Sequence, residues 1–325
     1  MIRHQLKSGS HARRAMLSFA RTRVASSLVA PAALALMFLI NMPLAQGSMV
    51  TLESGEVVSG DSQSVAVFDT TGSGSGLGLN SWTVDGVDHM ADDGQQWFWY
   101  RVGDSGPEHR IDGSGPLQQR SADSFDFDGD SRDDFLIVTY QDSTQDNFSV
   151  QFRYLLTGSV ADSGRSDIVE IISVVNQGNE TLDFNLFQYV DFNLEASAGN
   201  DSLQITGNPK NTARQTDPMA EISETVVTPN PTRWQADDQA ALLAQLDDMD
   251  ADDLNNQDGP LISGDQAWAF QWSRVISPRG SLLISKDKNI RPGDHIVPEP
   301  STLALAGLGL MGLLFGSARR RRRSI

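Results

Sequence analysis

The feature that most constrains the fold is a strict alternation of apolar and polar side chains in residues 148–156. Ser149, Gln151 and Arg153 fall between the apolar residues, so they would lie on the opposite face of an extended chain. This alternation predicts a β-strand with one face in a core and one face towards solvent. The apolar positions are Phe148, Val150, Phe152, Tyr154 and Leu156.

Similar strand patterns recur along the middle of the chain. Residues 182–186 and 268–272 alternate, whereas residues 135–140 and 168–175 are continuously apolar enough to predict strands buried on both faces. Polar turn sequences rich in Gly, Asn, Ser and Pro separate these strands. The pattern predicts a mainly β fold, an antiparallel β-sandwich domain over residues 48–292.

One segment departs from the β pattern. Residues 236–254 place Leu242, Leu243, Leu246 and Met249 at near-helical spacing among many aspartates. This spacing predicts one short helix on an acidic loop that lies over the sandwich.

The N-terminal region has the organisation of a secretory signal peptide. Residues 1–47 contain basic residues and no Asp or Glu, followed by an apolar run at 24–40 and the small-residue sequence Ala45-Gln46-Gly47. That order of charge, apolar segment and small residues is typical of cleaved export signals. We expect export of the chain and removal of residues 1–47.

Composition limits the chemistry available to this chain. The formal net charge is −17, and both ends are basic, so the central region is more acidic still. This charge disfavours nucleic acid and anionic lipid as partners, and it favours hard cations. Cysteine is absent, which excludes disulfides, thiol catalysis and thiolate zinc sites. No nucleophile-elbow or His-Glu-x-x-His sequence occurs, so we expect no enzymatic activity.

The best candidate for a metal site lies directly before the strand at 135–140. Asp126, Asp128, Asp130 and Asp134 occupy relative positions 1, 3, 5 and 9, and Arg132 supplies a backbone carbonyl at position 7. Oxygen atoms at this spacing converge on one calcium ion when the loop coils tightly. The alternative interpretation is an aspartate-rich hairpin turn that binds no ion, which explains the same residues.

This segment is similar to the calcium loops of FG-GAP and integrin-type repeats. It departs from them at Ser131, where such loops usually have glycine, and it occurs only once. The resemblance implies calcium as the cofactor.

Tryptophans at 97 and 99 form a candidate carbohydrate contact. Alternation places Trp97 and Trp99 on one strand face, and Phe98 and Tyr100 on the other. Exposed indole rings would offer a flat stacking surface for a sugar. Packing of both rings in the core is the competing interpretation.

The C-terminal region has three parts in a fixed order. Pro298, Glu299 and Pro300 are followed by an apolar segment at 301–318 and by arginines at 319–323. At about 1.5 Å per residue a helix over 301–318 would span roughly 27 Å, enough for a bilayer core. The arginines would stay cytoplasmic and leave the rest of the chain outside.

This tail, residues 293–325, resembles the PEP-CTERM sorting signal that exosortase enzymes process in Gram-negative bacteria that make extracellular polysaccharide. The resemblance implies that the Pro-Glu-Pro motif is recognised by the sorting enzyme and performs no chemistry itself. A simple membrane-anchored protein is the competing interpretation. The middle region also resembles a recurring ectodomain of PEP-CTERM proteins, at residues 81–88, 96–103, 187–192, 268–272 and 283–288. That likeness implies no activity.

Together these features predict an exported protein that is anchored transiently in the inner membrane and then reaches the cell surface or extracellular matrix. The expected role is structural or adhesive and non-enzymatic, with an exosortase-type enzyme and exopolysaccharide as partners. A carbohydrate-binding module and a polysaccharide-active enzyme remain the alternatives.

Overall fold

A computed structural model describes residues 49–72, 77–143, 147–196 and 201–293. The described residues form one α-helix, α1 (Gln239–Asp247), and a short 3-10 turn at Leu194–Ala196. The strands are β1 Met49–Val58, β2 Asp61–Asp69, β3 Gly78–Val84, β4 Val87–Asp88, β5 Gln95–Val102, β6 His109–Arg110, β7 Leu117–Phe125, β8 Phe135–Asp142, β9 Phe148–Thr157, β10 Ser166–Asn176, β11 Leu182–Asp191, β12 Ser202–Thr206, β13 Thr212–Thr216, β14 Ala220–Thr228, β15 Arg233–Asp238, β16 Gln266–Ile276 and β17 Ser281–Pro292.

The strands form two antiparallel sheets. Sheet 1 has the order β1-β2-β3-β5-β11-β16-β15, with β4 paired to β3 and β6 paired to β5. Sheet 2 has the order β12-β13-β14-β17-β10-β9-β8-β7. The predicted mainly β, antiparallel architecture with one short helix is therefore confirmed.

Aromatic side chains from the two sheets meet in the core. Phe98 of β5 stacks on Phe152 of β9 with ring centroids 4.6 Å apart, and Phe68 of β2 lies 4.6 Å from Tyr154 of β9. All four rings are almost completely buried. Burial of such large apolar surfaces stabilises the contact between the sheets.

Burial along the strands confirms some of the predicted patterns and reverses others. Strand β9 alternates as predicted, but β8 and β10 also alternate instead of being buried on both faces. Strands β5, β11 and β16 are the ones that are buried almost continuously. The physical reason is that sheet 1 is covered on its outer face, whereas the second face of β8, β9 and β10 is only half-buried.

Helix α1 and the residues after it provide part of that cover. The Asp238 side chain caps the helix by accepting a hydrogen bond from the Ala241 backbone N–H at 3.2 Å, and Leu242 and Leu246 are buried. The predicted helix is shorter than the acidic segment at 236–254, because residues 236–238 complete β15. Met249 follows the helix and is exposed, so it does not belong to the apolar face.

An acidic strap, residues 247–255, continues from α1 and is bonded to sheet 1. Asp253 accepts hydrogen bonds from Arg101 at 2.9 Å and from the Gln271 side chain at 2.7 Å. The Leu254 backbone N–H donates to the Gln271 side-chain oxygen at 2.9 Å. These contacts confirm the prediction that an acidic loop lies over the sheets.

The predicted signal peptide (1–47) and the apolar tail segment (301–318) lie outside the described residues. Within the part of the chain that the structure describes, no helix has the length and apolar character needed to cross a bilayer.

Candidate functional site

The aspartate-rich loop connects β7 and β8, and the hairpin holds its two ends together. Phe125 pairs with Phe135 in the β7–β8 register, and the Asp134 backbone N–H donates to the Phe125 carbonyl at 3.0 Å. The loop between them is closed by this bond, so its carboxylates are confined to a short turn at the end of sheet 2.

Backbone hydrogen bonds coil the loop. The Asp126 carboxylate accepts from the N–H groups of Gly129 at 2.6 Å and Ser131 at 2.8 Å, and Asp130 accepts from the Arg132 N–H at 2.9 Å. Aspartate side chains stabilise turns in this way. The result is that one carboxylate oxygen from each of Asp126, Asp128 and Asp130 lies within 4.8 Å of the others.

Ser131 adopts a left-handed backbone conformation, with φ of 75°. A side chain disfavours this region, which is why glycine usually occupies such positions. Ser131 therefore holds a conformation that glycine adopts more easily, which makes it a strained position.

The Arg132 side chain occupies part of the loop. Its guanidinium donates to the Asp130 carboxylate through Nε at 2.9 Å, to the Ser62 hydroxyl at 2.8 Å and to the Gly55 carbonyl at 3.0 Å. The hydrogen bond from Arg132 lowers the pKa of Asp130. The side chain thus fastens the loop to β1 and β2 and supplies a positive charge next to the three carboxylates.

Asp134 lies outside the group of converging carboxylates. Its side chain is buried and accepts a hydrogen bond from the Phe127 N–H at 2.7 Å. Burial raises the pKa of Asp134, and the negative charge of Asp128 adds to the effect. The structure therefore brings Asp126, Asp128 and Asp130 together and uses Asp134 as an internal brace of the hairpin.

The donor set of the loop fits a hard cation. Three exposed carboxylates offer oxygen atoms at short mutual distances, and calcium prefers carboxylate and carbonyl oxygens. Arg132 already donates a hydrogen bond to the Asp130 carboxylate, so a bound ion would compete with this guanidinium for the same oxygens.

Trp97 and Trp99 do not form an exposed platform. Both side chains have 0% of their surface accessible to solvent. Trp97 lies 5.3 Å from the Phe152 ring across the sheets, and Trp99 packs edge-on against Tyr189. The candidate carbohydrate contact at these residues is corrected: both rings belong to the core, because both faces of β5 are covered.

Sequence reasoning missed a group of charged residues buried between the sheets, which we call the ion cluster: Glu170, Glu224, Lys286 and Lys288. Their side chains have 0% accessible surface. Lys288 Nζ lies 2.6 Å from a Glu170 oxygen, and Lys286 Nζ lies 2.8 Å from the same oxygen and 3.2 Å from Glu224. The signal in the sequence was the placement of two lysines at alternate, inward-facing positions of β17.

Side chains of sheet 1 donate further hydrogen bonds to this cluster. Trp268 Nε1 donates to Glu224 at 3.2 Å, and Gln188 donates to the same carboxylate at 3.0 Å. Burial alone would raise the pKa of Glu170, but the two ammonium groups outweigh it and the pKa is lowered. The cluster is neutral overall, with two positive and two negative groups.

Comparison with solved structures reveals low similarity to several proteins. A bacterial glucoamylase complexed with acarbose has 9% identity and a TM-score of 0.45, covering 76% of this chain and 32% of that chain. A galactose mutarotase-like protein from Lactobacillus casei has 12% identity and a TM-score of 0.41, and the match covers 75% of this chain and 100% of that chain. Heparan sulfate lyase HepC from Pedobacter heparinus has 10% identity and a TM-score of 0.41, and the match covers 71% of this chain and 34% of that chain. A search among curated proteins found no match.

The sorting residues Pro298, Glu299 and Pro300 lie outside the described residues, but the sequence around them matches a known family model. That model, the PEP-CTERM protein-sorting motif, matches residues 297–322. The match confirms the resemblance recognised in the tail, and it implies export, transient membrane anchoring and processing by an exosortase-type enzyme. The chain therefore carries a PEP-CTERM protein-sorting motif at residues 297–322.

Proposed function

We propose that this protein is exported in a Gram-negative bacterium, processed at its tail by an exosortase-type enzyme, and delivered to the cell surface or extracellular matrix. There its β domain has a structural or adhesive, non-enzymatic role and contacts exopolysaccharide. The observation that carries the proposal is the sorting motif at residues 297–322.

Burial removes the glutamates of the ion cluster from the candidates for glycoside hydrolysis. A typical glycoside hydrolase uses two carboxyl groups that reach the sugar chain. Glu170 and Glu224 are completely buried and bonded to Lys286 and Lys288, so no polymer reaches them. Trp97 and Trp99 are equally inaccessible.

The aspartate loop supports calcium as a stabilising ligand of the domain. Asp126, Asp128 and Asp130 lie on an exposed hairpin, where calcium at extracellular concentrations has access. A protein without cysteine gains no stability from disulfides, and an ion that binds only the folded state supplies stability instead.

Cell fractionation tests the sorting proposal. The chain is expressed in a host with an exosortase-type enzyme, together with one variant that replaces Pro298, Glu299 and Pro300 by Ala and another that replaces the arginines at 319–323 by Gln. Wild-type protein is expected at the surface or in the medium, whereas both variants are expected uncleaved in the inner membrane. A host strain without the sorting enzyme serves as the control, and it should retain the wild-type chain as the variants are retained.

The purified, released protein tests the non-enzymatic role. Reducing-sugar release from bacterial exopolysaccharides is expected to stay at background, with and without calcium. Turnover that disappears when one Asp or Glu is replaced would establish the enzyme alternative. Glycan-array binding without turnover would favour the carbohydrate-binding alternative.

A further inference from the structure

A second group of acidic and amide side chains lies at one end of the two sheets, away from the aspartate loop. We call it the rim cluster: Asp191, Asp201, Gln215, Asp265 and Gln266. Asp191 ends β11 and Gln266 begins β16 in sheet 1, while Asp201 precedes β12 and Gln215 lies in β13 of sheet 2. The cluster therefore joins both sheets.

Hydrogen bonds fix how the rim cluster is arranged. Gln215 Nε2 donates to the Asp201 carboxylate and to the Phe192 carbonyl, the latter at 2.6 Å. Gln266 Nε2 donates to the Asp201 carbonyl at 3.2 Å. Because each amide nitrogen donates to an acceptor in or beside Asp201, the hydrogen bonds fix which end of each amide is the nitrogen. The two side-chain oxygens are left without a donor.

Five oxygen atoms of the cluster are buried and accept no hydrogen bond. They are Asp191 Oδ1, Asp201 Oδ1, Gln215 Oε1, Asp265 Oδ1 and Gln266 Oε1. A buried polar atom without a partner costs about 1–3 kcal/mol, and a charged one costs more. Each such atom calls for an explanation, such as an ordered water or a bound ion, and here five of them belong to side chains of one cluster.

The ligand must be positively charged or a donor. Asp191 and Asp201 are 1% and 2% exposed, and within the described ranges no Lys or Arg forms an ion pair with Asp191, Asp201 or Asp265. The ion cluster shows the contrast, because there each buried carboxylate has an ammonium partner.

We propose that the rim cluster is a buried binding site for a calcium-type divalent cation. The innermost ligands are the free oxygens of Asp201, Gln215 and Gln266. Asp191 and Asp265 border the site from the sheet 1 side and add negative charge. Among the described residues only Asp126, Asp128 and Asp130 bring three carboxylate oxygens within 4.8 Å of one another, so the three rim carboxylates would not all bind the ion directly. A site of carboxylate and amide oxygens without His or Cys suits calcium rather than zinc.

The site would fasten the start of β12 to the ends of β11 and β16. An ion held between the two sheets binds only the folded protein, so it raises the stability of the whole domain. This inference does not rest on the aspartate loop. Substitutions that inactivate the loop leave the rim cluster intact, so calcium binding at the two sites can be measured independently.

The test uses the full chain in mild detergent with the aspartate loop inactivated by Asp128→Ala and Asp130→Ala. Melting temperature and calcium binding by equilibrium dialysis are measured in EDTA and in millimolar calcium chloride. In this parent the melting temperature should rise with calcium, with one ion bound per chain. Adding Asp201→Asn should weaken calcium binding at least about tenfold, since loss of even an outer-shell partner costs about 10–100-fold at metal sites.

The melting temperature of the variants in EDTA shows whether Asp201 is a metal ligand or only a structural hydrogen-bonding group. Asp201→Asn should melt at or above the parent temperature in EDTA, because a buried negative charge is removed. Asp191→Asn should show the same pattern, which guards against a folding defect in one variant. The matched control is Asp250→Asn, an exposed residue, which should leave calcium binding unchanged.

Two results would overturn the proposal. The parent could bind no calcium, in which case ordered water and protonated carboxyl groups fill the rim cluster. Alternatively, Asp201→Asn and Asp191→Asn could bind calcium as tightly as the parent, in which case the ion binds elsewhere.

Discussion

The indole Nε1 of Trp99 donates a hydrogen bond to Oδ1 of Asp247 at 2.8 Å. Trp99 lies in β5 of sheet 1, and Asp247 ends α1 at the start of the acidic strap. The Arg110 guanidinium lies 5.3 Å above the Trp99 ring and also pairs with Asp247. One tryptophan therefore connects the core to the segment that covers it.

The first prediction follows from this contact. Trp99→Phe removes the hydrogen bond and leaves a small void, so the free energy of unfolding should fall by about 1–3 kcal/mol in urea titration. Asp250→Ala, at an exposed position of the same strap, should change it by less than about 0.5 kcal/mol. Equal stability of Trp99→Phe and wild type would show that the strap does not depend on this bond.

A second prediction concerns the ion cluster. Glu170→Gln leaves Lys286 and Lys288 with Glu224 as their remaining carboxylate partner, and an uncompensated buried charge typically costs about 3–5 kcal/mol. We expect a loss of that size in chemical denaturation. Glu180→Gln makes the same chemical change at an exposed site and should have almost no effect. A loss below about 1 kcal/mol for Glu170→Gln would contradict the pairing described here.

A third prediction concerns competition at the aspartate loop. Arg132 occupies the Asp130 carboxylate, so Arg132→Met should strengthen calcium binding there several-fold. The same change should lower stability without calcium by about 1 kcal/mol or less, because the bonds to Gly55 and Ser62 are lost.

The calcium measurement is made by equilibrium dialysis with Asp201→Asn present, so that only the loop responds. Arg279→Met is the matched control, since Arg279 is exposed and its guanidinium donates to Asn179 at 3.1 Å, away from the loop aspartates. Weaker calcium binding in Arg132→Met would mean that the arginine orients the ligands instead of competing with the ion.

A fourth prediction is a pH dependence from His89. Burial lowers the pKa of His89 from 6.5 to about 4, so the folded protein holds this ring neutral. The unfolded chain takes up the proton first as pH falls, and stability should therefore decrease between about pH 6.5 and pH 4. At about 1.4 kcal/mol per pKa unit, the contribution is up to about 3 kcal/mol at pH 4.

Two histidine variants distinguish the contribution of His89 to the pH dependence of stability from that of the many carboxylates. His89→Gln should flatten the fall of melting temperature between pH 6.5 and pH 4. His109→Gln, an exposed histidine, should leave the slope unchanged. Parallel slopes in wild type and His89→Gln would contradict the lowered pKa.

The parts of the fold that depend on neighbouring residues could be predicted from the sequence. Alternation in β9 identifies its buried face, and the spacing of Asp126, Asp128 and Asp130 brings their carboxylates together through bonds within one turn. Whether the second face of a strand is covered depends on distant segments. Trp99 illustrates this, because its cover comes from Asp247, far along the chain.

The rim cluster shows the same limit. Its residues come from four separate segments, each of which looks polar and unremarkable in the sequence. Only the antiparallel pairing of β11 with β16 and of β12 with β13 brings Asp191, Asp201 and Gln266 to one end of the sheets. The Pro-Glu-Pro tail, by contrast, is continuous in sequence and was recognised without a structure.

The intact mass of the protein released from cells tests the central claim most directly. Exosortase-type processing at the motif in residues 297–322 predicts a released chain that lacks the apolar segment at 301–318 and the arginines at 319–323. A released protein whose mass still includes residues 301–325 would contradict processing at this motif.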